Sequence, residues 1–260
     1  METFLFDSII FGPVPSRRLG NSLGVNLLPV DCKVCNFNCI YCECGWTKAT
    51  NSHAKFPERN TVKRKLKKRL KYAVSSKEKI DVITFAGNGE PTLHPEFAGV
   101  IADTIEIRNE LYPTAKIAVL SNASMNFNEL IINALKGVDL NILKLDSGLE
   151  ETIKKINQPL GKFSFEKLLK NLKSFDSNVI IQTLFLRSKN DQEEKHIDNT
   201  SQEEIAHWLD ILKEIKPKQV MIYSIARNTP MSGLEKISVT KLHEIAILVK
   251  KIEIDVIVSS

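Results

Sequence analysis

Five cysteines lie between Cys32 and Cys44, in the stretch CKVCNFNCIYCEC, and the rest of the 260-residue chain has none. Thiols this dense suit crosslinking, zinc binding, dithiol redox exchange or iron–sulfur ligation. Stapling disulfides gain most by closing long loops, whereas these would close loops of a few residues, and an odd count leaves one over. Zinc ribbons and fingers separate their two cysteine pairs by a dozen or more residues, so that the chain can fold around the ion. Here only Asn36, Phe37 and Asn38 separate Cys32-x-x-Cys35 from Cys39-x-x-Cys42. The other grouping takes Cys35-x-x-x-Cys39-x-x-Cys42 as a unit. Three thiolates on one tight loop can hold three irons of a [4Fe–4S] cube and leave the fourth iron without a protein ligand, open to a substrate or cofactor. Spacing favours the cluster, and a four-sulfur zinc site stands as the alternative.

Such a loop needs a scaffold, and the flanking sequence supplies one. Strand-like runs occur at 22–30, 80–87, 115–123, 139–147, 178–187 and 218–226. Most are apolar and β-branched throughout, as strands buried on both faces of a parallel sheet should be. Helical periodicity fills 61–75, 96–111, 127–136, 149–156 with 164–174, 202–215 and 239–251. Six such βα units in series predict an α/β fold with a parallel sheet, either doubly wound or a closed or partial barrel. The tail 254–260 reads as a seventh strand or a frayed end. Neither repeat nor linker divides the chain, so residues 1–260 read as a single domain. The cysteines follow the first strand, at the end where α/β folds place their active sites. The connection 43–60 behind them is long enough to be read as functional.

Composition limits the remaining options. A hydrophobic fraction of 43% and a charged fraction of 26% suit a globular enzyme with a large core. No run approaches a membrane span, and METFLFDSIIFGP has no basic start or continuous apolar core that would mark export. A cytoplasmic location is therefore expected. The net charge of +5 permits an anionic partner without requiring one.

The Cys-x-x-x-Cys-x-x-Cys spacing, with the aromatic Tyr41 before its last cysteine, resembles that of the radical S-adenosylmethionine (radical SAM) superfamily. GNGEP, Gly87 to Pro91, looks like that superfamily's Gly-Gly-Glu motif. A narrower resemblance runs over about residues 11 to 227, through FGPVPSRRLGNSLGVNLLP, FAGNGEPTLHPEF, KLDSGLEETIKKINQP and IQTLFLR. These segments are similar to a branch of iron–sulfur oxidoreductases akin to the enzymes that build the tricyclic base of wybutosine in tRNA. The resemblance implies a partial (β/α)6 TIM-like barrel, a radical SAM core over about 20–227, and two cofactors: a [4Fe–4S] cluster and SAM. It further implies Cys35, Cys39 and Cys42 as cluster ligands, leaving Cys32 and Cys44 as non-ligands. Tyr41 would pack over the adenine, and Asn88, Gly89 and Glu90 would form the SAM amino-group site. Glycine would let the backbone approach the ligand, and the Glu90 carboxylate would accept from an ammonium. The implied chemistry is reductive cleavage of SAM to a 5′-deoxyadenosyl radical that abstracts hydrogen from a substrate. An external flavodoxin or ferredoxin would supply the electron.

Other residues are candidates on position. Ser121 and Asn122, at a strand end, suit the ribose or carboxylate of SAM, or a plain helix cap. In NILKLDS, Lys144 and Asp146 share a face with Ile142, opposite Leu143 and Leu145. Charges on the inner face must pair with each other or bind something polar, and SAM is the candidate. Gln182 and Arg227 are weaker candidates of the same kind, and Arg17-Arg18 suits a carboxylate, a phosphate or a solvated surface. The run KRKLKKRLKY (63–72) reads first as a helix with Leu66 and Leu70 inward and lysines in solvent, and second as an RNA surface. The expected substrate is a small molecule. Alternatives are a tRNA-modifying enzyme, an activase that installs a glycyl radical on a partner, and a non-catalytic metal-binding protein.

Overall fold

The computed structural model describes residues 4–48, 54–125, 128–189 and 196–259. Its elements in chain order are β1 (Ile10–Ser16), β2 (Gly20–Val25), α1 (Arg59–Ser75), β3 (Val82–Phe85), α2 (Phe97–Leu111), β4 (Lys116–Ser121), α3 (Glu129–Lys136) and β5 (Leu140–Lys144). There follow α4 (Glu150–Asn157), α5 (Phe165–Lys173), β6 (Ile180–Ser188), α6 (Gln202–Ile215), β7 (Gln219–Ser224), β8 (Leu234–Lys236), α7 (Val239–Lys251) and β9 (Val256–Ser259). All six expected strands and all seven helical segments are present, and the tail is the strand β9. The first strand ends at Val25 rather than at residue 30, because Asn26 turns its own side chain to the Leu28 N–H (3.1 Å). β1 and β8 were not expected. Part of the long loop behind the cysteines, 49–53, lies outside the described residues.

Two compact units share the chain. One comprises Leu5–Cys35 and Thr47–Ile142. In it β1 pairs antiparallel with β2, which continues into the parallel neighbours β3 and β4. All four residues of β3 are buried, as a strand covered on both faces requires. α1 turns Val62, Leu66, Leu70 and Ala73 inward, so the leucine stripe lies where its period places it. Its cations meet α2: Arg59 forks onto Asp103 (2.6 and 3.0 Å), Lys63 reaches Asp103 and Glu106, and Lys67 reaches Glu110.

The other unit comprises Met1–Phe4, Asn36–Trp46 and Leu143–Ser260. Here β6, β7 and β9 are parallel neighbours, and β8 adds antiparallel to β6. Trp208 of α6 is 1% exposed, lies edge-on to Phe185 (5.3 Å), and donates its ring N–H to Thr183 Oγ1 (3.2 Å). A buried indole with its donor satisfied anchors the helix to the sheet. Serines cap two helices of this unit: Ser201 accepts from the Glu204 N–H and Ser238 from the Lys241 N–H. Among the described residues, no helix is long and apolar enough to cross a membrane.

Candidate functional site

The first half of the cysteine loop lies along the end of β3. Val34 N–H donates to the Asn88 carbonyl (2.9 Å), and Glu90 N–H donates to the Val34 carbonyl (3.1 Å), so one residue before Cys35 joins GNGEP as a short parallel strand. Gly89 makes this possible. Its φ is +140°, and a Cβ built on it would stand 1.8 Å from the Val34 carbonyl oxygen. The close approach expected between this glycine and a ligand is therefore an approach to the chain's own cysteine loop.

Asn88 departs from expectation. It is fully buried; its amide donates to the Phe6 and Pro29 carbonyls (2.9 and 2.8 Å), and its side-chain oxygen accepts from Phe6 N–H (2.8 Å). With its carbonyl given to Val34 and its N–H to Asn26 Oδ1, it ties three chain segments together.

Pro91 holds Glu90 extended (φ −96°, ψ 111°), as its ring geometry demands. The Glu90 carboxylate is 2% exposed and accepts from Asn122 N–H (2.7 Å), Thr92 N–H (3.0 Å) and the Thr92 hydroxyl. Burial pushes its pKa up, and these donors pull against that shift. Its side chain thus clamps the end of β3 to the end of β4. Just beyond β4, Asn122 directs its amide nitrogen at Cys35 Sγ (3.7 Å), and Ser121 Oγ caps the Ala123 N–H (3.1 Å).

The second half of the loop is held in the other unit by a short antiparallel ladder with the end of α4. Asn38 N–H donates to the Gln158 carbonyl, Ile40 N–H to the Ile156 carbonyl, and Leu160 N–H to the Asn36 carbonyl, at 3.0, 2.9 and 2.8 Å. That register sets Cys39 opposite Asn157, whose amide nitrogen lies 3.4 Å from Cys39 Sγ. Burial, then the neighbouring Cys42, pushes the Cys39 thiol up to about 11. Bound metal removes such a proton outright.

Asn157 opens onto a buried polar network. It donates to Asp146 Oδ2 (2.6 Å), which also accepts from the Tyr41 hydroxyl, while Asp146 Oδ1 accepts from Leu184 N–H (2.9 Å) and Lys144 Nζ (3.3 Å). Lys144 also donates to the Tyr223 hydroxyl (3.1 Å) and stands 4.8 Å from the Tyr41 ring centre. Burial alone would lower the Lys144 pKa; the Asp146 carboxylate outweighs it and holds the ammonium above the usual lysine value. The expected shared face of Lys144 and Asp146 is present, and the two are paired. Burial, then Asp146, raises the Tyr41 hydroxyl well above the usual phenol range.

The remaining candidates lie elsewhere. Arg227 is exposed and pairs with Glu43 (2.6 Å). Gln182 is buried, its carbonyl accepting from Leu145 N–H and its side-chain nitrogen meeting no acceptor among the described residues. Arg17 and Arg18 belong to the β1–β2 turn. Cys32 sits beside Asp31, where burial first and that carboxylate second raise its pKa, and Cys44 is half-buried. Sequence reading missed Asn157 and Tyr223. The signal for Asn157 is a polar residue that follows Ile153 and Ile156 on the buried side of α4.

The donor set fits an iron–sulfur cube. No disulfide joins the five cysteines, and two of the expected ligands face amide N–H groups. Among the described residues, no three His, Cys, Asp or Glu side chains converge as a single ion would require.

Comparison with known proteins points the same way. The family model described as the Radical SAM superfamily matches residues 31–200. A protein named GTPase Obg from Brachyspira hyodysenteriae is 32% identical over 85% of this chain and 30% of its own length. A UPF0026 protein of Methanocaldococcus jannaschii is 31% identical over 86% of this chain and 64% of its own. The chain thus spans under two thirds of both relatives. In structure it is similar to a radical SAM methyltransferase from Sphaerobacter thermophilus (TM-score 0.65, 14% identity, covering 91% of this chain and 65% of that one). It is also similar to Streptococcus suis SuiB bound to S-adenosylmethionine (0.64, 14%, covering 92% and 52%) and to archaeal TYW1 (0.51, 15%, covering 88% and 71%). These likenesses show the fold class: α/β, the partial TIM-like barrel of the radical SAM core.

Proposed function

The chain belongs to the radical SAM superfamily, whose members bind a [4Fe–4S] cluster and SAM, and from that premise we propose that it is a radical SAM enzyme acting on a small molecule. When bound, the two cofactors supply reductive cleavage of SAM and a 5′-deoxyadenosyl radical for hydrogen abstraction, with an electron from a flavodoxin- or ferredoxin-type carrier. Cys35, Cys39 and Cys42 are the cluster ligands in this reading, and Cys32 and Cys44 are not. The observation that carries it is the docking of Val34 on Gly89, which sets Cys35 against the one strand end that bears the Gly-Glu motif. The Glu90 carboxylate clamps that strand end to the end of β4, and in this reading Gly89, Glu90, Ser121 and Asn122 lie along the SAM site. Lys144, held charged by Asp146, offers a cation to an anionic group of cofactor or substrate, and Tyr41 offers an aromatic face. Residues 1–260 form one domain in this reading, since the family match runs through both compact units.

Pairing of Arg59, Lys63 and Lys67 with α2 carboxylates supports a small substrate over tRNA, because cations already matched on the protein gain less from phosphate. The test is anaerobic reconstitution followed by iron, sulfide and 5′-deoxyadenosine assays with SAM and dithionite. About four irons per chain and slow release of 5′-deoxyadenosine are expected. Cys39→Ala should lose the cluster, whereas Cys32→Ala and Cys44→Ala keep it. Retention of full iron by Cys39→Ala would refute the ligand set.

A further inference from the structure

We infer that Asn157 is a positioning residue for Cys39, aiming an amide N–H at its sulfur and so setting how readily the cluster accepts an electron; this rests on Cys39 being a cluster ligand. The backbone fixes the contact. Every bond of the ladder between 36–40 and 156–160 obeys one register, which leaves Cys39 and Asn157 facing each other between the bonds from Asn38 and Ile40. Asn157 ends α4, and from that last turn its amide nitrogen lies 3.4 Å from Cys39 Sγ.

Chemistry fixes which way the carboxamide faces. Its nitrogen meets three acceptors: Asp146 Oδ2 (2.6 Å), the Tyr41 hydroxyl oxygen (3.1 Å) and Cys39 Sγ (3.4 Å). The flipped amide would set its oxygen against a carboxylate, so this orientation is the stable one. An amide nitrogen carries two hydrogens. One goes to Asp146, and the other lies between the tyrosine oxygen and the sulfur. A thiolate is the better acceptor of the two, since its bond is charge-assisted. Asp146 is itself held by Lys144 and Leu184 N–H, so the amide has little freedom to turn away, and Asn157 is only 2% exposed.

Reduction adds one electron to the cluster and with it negative charge on the sulfurs. A donor already aimed at one sulfur stabilises the reduced form more than the oxidised form and raises the potential. Asn157 thereby links the electron-accepting step to the Lys144–Asp146 pair.

The experiment is an EPR-monitored redox titration of anaerobically reconstituted wild type, Asn157→Leu, Asn157→Ala and Asn157→Gln, with dithionite as reductant and iron analysis on each sample. Asn157→Leu and Asn157→Ala should keep wild-type iron, while the reduction equilibrium falls about tenfold, or about 59 mV for one electron. Asn157→Gln, which keeps an amide donor, should lie between them and wild type. An unchanged potential in iron-replete Asn157→Leu and Asn157→Ala overturns the inference and leaves the proposed function standing. Loss of the cluster from all three variants overturns it too, because Asn157 would then serve assembly. Wild-type iron in Cys39→Ala instead removes the premise.

Discussion

At Gly89 a single hydrogen stands where any other residue would drive a carbon into the Val34 carbonyl. Gly89→Ala should therefore lower stability by about 2–4 kcal/mol, combining backbone strain with loss of the two bonds to Val34. It should also reduce the iron retained on reconstitution, since Cys35 follows Val34 directly. Gly161 is the control: its φ is +81°, but nothing lies within 4 Å of its added Cβ, so Gly161→Ala should cost only about 1 kcal/mol. Equal urea midpoints for the two variants would show that the loop yields at Val34. A second prediction compares the two ends of the buried ion pair. Asp146→Ala strands the Lys144 ammonium, which is 16% exposed, and should cost about 3–5 kcal/mol. Lys144→Met leaves Asp146 with Tyr41, Asn157 and Leu184 N–H as donors, so it should cost less; the reverse order in urea unfolding would contradict this ranking. Spacing exposed the cysteine loop and resemblance to a family motif exposed GNGEP, because each motif is local in sequence. Asn157 stayed hidden because its role depends on a ladder joining segments more than a hundred residues apart. The bonds of Asn88 to the Phe6 and Pro29 backbone stayed hidden for the same reason, since they join segments distant in sequence.

Among the elements, α1 separates the substrate classes. Its apolar stripe was legible from a four-residue spacing, Leu66 to Leu70, and both are fully buried. Its electrostatic partners were not legible, since no pattern within 63–72 says that α2 will present Asp103, Glu106 and Glu110. Replacing Lys67, Lys68 and Lys71 with Gln should shift stability by less than about 1 kcal/mol, because surface pairs contribute little. The same variant should cleave SAM at the wild-type rate. RNA binding of micromolar affinity or better at physiological salt, abolished in this variant, would reverse the choice and favour tRNA. β1 escaped the sequence reading for a different reason. IFGPVPS carries two prolines and a glycine, which argue against a central strand. The strand pairs antiparallel with β2 at the start of the strand order, where missing N–H donors are tolerated. Parallel strands such as β3 were easy to read because burial on both faces leaves a continuous β-branched signal.

On the scale of the whole chain, the single-domain reading has a thermodynamic consequence. Two compact units within one cooperative domain must unfold together, whereas two independent domains would melt apart. Both tryptophans, Trp46 and Trp208, belong to the same unit, and Trp208 is the buried one. Tryptophan fluorescence therefore follows that unit alone, whereas far-ultraviolet circular dichroism follows helices and strands of both. The two probes should trace one coincident transition in the iron-loaded protein. Cluster binding acts on the folded state only, so loading should raise the melting temperature, by about 2–4 °C for each kcal/mol of linkage in a chain of this size. Removing the cluster with a chelator and air should lower both curves by the same amount. A fluorescence transition displaced from the dichroism transition by more than the fitting error would show two domains. If only the fluorescence curve then moved on cluster loss, the stabilising sulfur ligands would be those of Asn36–Trp46, Cys39 and Cys42, and Cys35 would contribute little to holding the cluster.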